Sequence, residues 1–152
     1  MLKPFKYVVT LLLAAVMPLA ALADLPGQHP FYLHALTDLR AARWLLEHRP
    51  GNAAVSADED VAITRIDQAI AEIKKAATED GKNINDKPPV DATPDNKGRL
   101  HRAEELLRKV RSDIAREEDD PLTRGLRDRA IAHVDGAIRA AAKAIHDAEA
   151  SL

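Results

Sequence analysis

The stretch SADEDVAITRIDQAIAEIKKAATEDG, residues 56–81, decides the fold. Ser56 followed three residues later by Glu59 is a capping box, in which the two side chains satisfy backbone N–H donors that a helix start leaves unpaired. Behind it Ala62, Ile63, Ile66, Ala69, Ile70, Ile73 and Ala77 recur at spacings of three and four. At about 100° per residue this places them on one helical face. Gly81 after Asp80 supplies the left-handed residue that closes such a helix. The spacing therefore predicts a helix over 57–80 with a single apolar stripe, and a stripe of that kind must be covered by other elements.

Three further segments carry the same period. Upstream, a helix is expected over 30–49, with Pro30 at its first position, where the missing N–H costs nothing, and Pro50-Gly51 as the stop. Its stripe is Tyr32, Ala35, Leu36, Leu39, Ala42 and Leu46, with Leu33 and Trp44 on a flank. Downstream, KNINDKPPVDATPD (82–95) has three prolines and no period, and reads as a long loop across one end of a bundle. A third helix is expected over 97–118, capped by Asp95 or Asn96, with Leu100, Ala103, Leu106, Leu107, Val110 and Ile114 inward. Pro121 opens a fourth, expected to reach residue 152, whose stripe is Leu126, Ala130, Val134, Ala137, Ile138, Ala141, Ile145, Ala148 and Leu152. No segment competes as a strand. The expected fold is all-α, an antiparallel up-down-up-down four-helix bundle.

The first 23 residues stand apart. Lys3 and Lys6 precede a nearly continuous apolar run from Tyr7 to Ala20, and Ala21-Leu22-Ala23 offers a small-x-small cleavage pattern before Asp24. Thr10 and Pro18 interrupt the run, which falls short of the ~20 residues a membrane span requires. Residues 1–23 are therefore read as a cleaved export signal. Residues 24–152 form the bundle domain, expected to be periplasmic or secreted and to have no membrane association after cleavage.

Composition excludes much chemistry. The 152 residues include no cysteine, which removes disulfides, thiolate metal sites, covalent haem and a cysteine nucleophile together. A net charge of −2 and six glycines provide neither a basic stripe for nucleic acid nor a phosphate-cradling loop. Both methionines, Met1 and Met17, lie in the export signal, so haem held by a histidine-methionine pair is excluded too. Asp67, Glu72, Glu104, Glu105 and Asp128 fall among Lys and Arg on polar faces, a solvated lattice in place of a catalytic pair. No enzyme activity is expected, and no cofactor, unless the histidines bind a divalent transition metal.

In an up-down-up-down bundle His29, His34, His101 and His146 gather at one pole, and these are the candidate metal ligands. The helical wheel counts against them, since it turns His34, His101 and His146 outward. Leu33 and Trp44 are the candidate surface for a protein partner or for self-association. A chaperone of the exported helical class would carry a Leu-Thr-x-x-Gln signature, which Leu122-Thr123-Arg124-Gly125-Leu126 only approaches.

Three segments carry a likeness: His29-Pro30-Phe31-Tyr32-Leu33-His34-Ala35-Leu36 with Asp38-Leu39-Arg40, Asp80-Gly81-Lys82-Asn83 with Asn85-Asp86, and Arg124-Gly125-Leu126-Arg127 with Arg129-Ala130-Ile131. With these the chain resembles a group of small exported all-helical bacterial proteins over most of residues 24–152. The resemblance implies export and a helical fold, and brings no activity with it. It directs attention to the pole where the HPFYLH start meets the DGKNIND loop. The function expected is that of an exported, non-enzymatic binding, interaction or structural module, the alternative being a metal-binding bundle.

Overall fold

The computed structural model describes residues 30–49, 55–90 and 98–152. Residues 1–23, read from the sequence as an export signal, and His29 lie outside them. Four helices and no strand occur among the described residues: α1 (Tyr32–Glu47), α2 (Ala57–Glu79), α3 (Arg99–Ile114) and α4 (Pro121–Glu149). None of them is long and apolar enough to cross a membrane.

The capping box of α2 forms in full. The Ser56 N–H donates to Glu59 Oε2 at 2.8 Å, and the Glu59 N–H donates to Ser56 Oγ at 3.3 Å. At the other end Gly81 takes φ +70°, and the Lys82 N–H reaches the Ala77 carbonyl at 2.8 Å. This wrapped turn needs a residue that tolerates the left-handed region. α4 starts on Asp120, whose carboxylate accepts from the Leu122 N–H at 2.9 Å and the Thr123 hydroxyl at 2.9 Å.

The helices are shorter than those read in the sequence: α1 ends at Glu47, α2 at Glu79 and α4 at Glu149, and α3 starts at Arg99. α1 starts at Tyr32, two residues after Pro30, and α3 stops at Ile114, four residues before Glu118. The α3 difference has a visible cause. Glu118 turns into the interior, accepting from the Tyr32 hydroxyl at 2.7 Å and the Asp120 N–H at 3.1 Å. Arg127 meanwhile donates to the Arg116 carbonyl.

The buried residues are the expected stripes almost throughout, including Leu36, Leu39 and Leu46 of α1, Ile66 and Ile73 of α2, Leu107, Val110 and Ile114 of α3, and Val134 of α4. Ala148 and Leu152, at the far end of the α4 stripe, are exposed.

The bundle is antiparallel between all neighbours, but the chain does not visit them as up-down-up-down. α1 packs on α2 and α3, and α4 packs on α2 and α3, leaving α1 across from α4 and α2 across from α3. The start of α1 meets the end of α3 through the Phe31 N–H on the Asp113 carbonyl, 3.3 Å. At the other pole Arg99, first in α3, donates to the Leu45 and Leu46 carbonyls that end α1. α1 and α3 are thus antiparallel, α2 and α3 run the same way, and the order is up-down-down-up. The connection 80–98 consequently joins opposite poles instead of crossing one end. It must cover the length of α2, about 34 Å for 23 residues. Ile84, on its way, packs against the core.

Candidate metal centre

At the pole where α1 starts and α3 ends, His34, Asp38 and Asp113 bring one ligand atom each within 4.8 Å of one another. His34 and Asp38 are four residues apart on α1 and so share a face. Asp113 comes from the last turn of α3. The imidazole Nδ1 lies 3.7 Å from Asp113 Oδ2, and the His34 side chain keeps 30% exposure while Asp113 keeps 1%. Asp38 is wholly buried.

Both aspartates interrupt apolar stripes. Asp38 stands three residues after Ala35 and four before Ala42, and Asp113 three after Val110, positions at which the repeat calls for an apolar side chain. Carboxylates there leave water, at a cost that only a nearby cation or donors offset. Asp113 carries an additional penalty, because the carbonyl end of α3 presents the negative pole of the helix dipole. Lys109, one turn earlier, meets Asp113 Oδ1 at 3.0 Å. Asp113 Oδ2 is buried without a hydrogen-bond partner among the described residues.

One nitrogen and two carboxylates suit a borderline or hard divalent ion such as Zn²⁺ or Mn²⁺. Metal bonds of ~2.1 Å hold donor atoms no more than about 4.2 Å apart, so the group needs only a small contraction. Three protein ligands, one of them partly exposed, leave coordination positions open towards solvent.

The histidine grouping read from the sequence is not formed. His101 sits at the opposite pole, 3.6 Å from Glu149, and His146 is exposed near the same end. The reason is the shared direction of α2 and α3, which carries the start of α3 away from the start of α1. Of the four candidates His34 alone joins the group, and His29 lies outside the described residues. Leu33 is half-buried against the core, whereas Trp44 is 56% exposed and stacked on His48 with ring centroids 4.4 Å apart. The two do not make one apolar patch. Asp38 and Asp113 were missed, although an acidic residue in apolar register was a signal present in the sequence for each.

Next to the group, Tyr32 is buried and bonded to Glu118, and burial, followed by that hydrogen bond, pushes its ionisation far above the usual range. At the opposite pole Glu59 is a structural junction. Its carboxylate meets Arg49 at 3.1 Å and also pairs with Arg99, so that one buried charge ties the end of α1 to the starts of α2 and α3. No protein family, curated protein or solved structure matches this chain.

Proposed function

We propose that this chain is an exported, non-enzymatic helical-bundle module that binds a divalent transition-metal ion through His34, Asp38 and Asp113. The observation behind the reading is the pair of fully buried aspartates in apolar register beside an imidazole. A divalent ion placed there would meet both carboxylates and the imidazole at once. The bundle supplies rigidity, because ligands from two packed helices hold their spacing better than ligands on a loop. Export is supported by the Lys3/Lys6, apolar-run and Ala21-Leu22-Ala23 pattern.

Calorimetric titration of the chain, purified without a histidine tag, with Zn²⁺ and with Mn²⁺ tests the reading. One ion per chain is expected, with D38N or D113N weakening binding at least ~10-fold, since each removes an anionic ligand. H101A and H146A are expected to leave binding intact. Absence of binding by the parent chain at millimolar metal rejects the proposal, and so does binding that survives D38N and D113N but not H101A.

A further inference from the structure

Asp113 divides its two carboxylate oxygens between different neighbours. Oδ1 accepts from Lys109 Nζ at 3.0 Å, and Oδ2 faces His34 Nδ1 at 3.7 Å. Lys109 lies one helical turn before Asp113 on α3, and its side chain keeps 47% exposure. Its ammonium can therefore leave the carboxylate and enter water without a change in the backbone. Asp113 and Asp38 have no such freedom, being enclosed between α1 and α3.

We infer that Lys109 is a built-in counter-ion for this pole, displaced from Asp113 when a divalent cation binds, so that the lysine sets the affinity of the site. The inference rests on the cation reading above. With no metal bound, the ammonium offsets part of the charge of two buried carboxylates. With a metal bound, two cations would compete for one carboxylate, and the lysine, tethered by a flexible stem, is the one that can move out. An ion on Oδ2 shares the Asp113 carboxylate with the Lys109 ammonium on Oδ1, and that competition lowers the affinity below what His34, Asp38 and Asp113 would give alone. The lysine thus offsets part of the buried charge when no metal is bound and resists the weaker-binding ions.

The test compares the parent chain with K109M and K109R in calorimetric titrations with Mn²⁺ and Zn²⁺. K109M, which keeps the stem and loses the charge, is expected to bind Mn²⁺ about five- to tenfold more tightly, the scale of a partly exposed ion pair with one buried member. K109R, which keeps a cation, is expected to stay within about twofold of the parent chain on the same basis. Equal or weaker binding by K109M overturns the role of the lysine and leaves the cation site standing. Tightening by K109R as large as that of K109M also overturns it, because charge is then irrelevant. If no variant and no parent chain binds either ion, the cation site itself falls and the inference with it. Should K109M melt too low for calorimetry, the rise in melting temperature on adding Mn²⁺ serves instead. A rise larger than that of the parent chain supports displacement, and an equal one overturns it.

Discussion

At the residue scale, the five buried polar residues among the described residues do two different jobs. Glu59 is fully served: Ser56, Arg49 and Arg99 meet it from three sides, and Arg99 also covers the last carbonyls of α1. Burial works against its ionisation, but the Ser56 N–H and the Arg99 and Arg49 guanidiniums outweigh burial and hold the carboxyl below its ordinary value of 4.5. A carboxylate with a lowered folded-state value contributes stability that is complete above about pH 4.5 and lost as the pH falls through the folded value. E59Q, which leaves two guanidiniums facing a neutral amide, is expected to cost roughly 3 kcal/mol near neutrality. Urea unfolding across pH 3 to 7 checks this, and the gap between parent and variant should shrink below pH 4.5. A gap of constant size would show that the charge of Glu59 is immaterial. Glu118 and Thr123 are likewise bonded within the fold, to Tyr32 and Asp120. Asp38 and Asp113 lie together beside His34, with one Asp113 oxygen unmatched among the described residues. That grouping sets the pole of the proposed metal site apart from the structural one.

At the element scale, α2 and α4 show how an alanine-rich sequence packs. Lys143 meets Asp58 at 2.7 Å, Arg129 meets Glu72 at 3.0 Å, and Arg65 lies across Gly136, where an added Cβ would come within 3.3 Å of its Cδ. These contacts advance by seven residues on α2 as they retreat by seven on α4, the step of antiparallel helices in register. Between them Ala62, Ala69, Ala76, Ala130, Ala137 and Ala141 are buried, small side chains that let the two helices approach closely. Close approach makes the seam intolerant of volume. A137L, although it adds apolar surface, is expected to destabilise the bundle by about 1–3 kcal/mol through overpacking. Thermal melting followed by circular dichroism reads this directly, and a variant as stable as the parent would show that the seam is loose.

For the whole molecule, the deciding feature is the path of the chain. Because α2 and α3 lie on one diagonal and run the same way, the Pro-rich connection travels from pole to pole, and α1 becomes the antiparallel neighbour of α3. Cysteine is absent from the chain, so spin labels can be placed without background. A label pair at 48 and 101 is expected to lie roughly 10 Å closer than a pair at 31 and 101, given 1.5 Å of rise per residue along α1. The reverse ranking would mean that α1 and α3 are parallel. Helix identity, the α2 capping box and nearly every core position were legible in the sequence, because they depend on spacing within one segment and on the free energy of covering a stripe. The α3 boundary was not, since Glu118 leaves the helix for a hydrogen bond with Tyr32, 86 residues away. The histidine pole was misplaced for a related reason: local period says which face a residue occupies but not which end of the bundle it reaches. By itself the sequence determined the four apolar faces and hence an all-helical bundle. Only the tertiary structure decided their order, and with it that Asp38 and Asp113, each an irregularity in its own stripe, face the same histidine. Pairing between helices depends on how a long, aperiodic connection crosses the bundle, and no local energy term in that segment fixes its path.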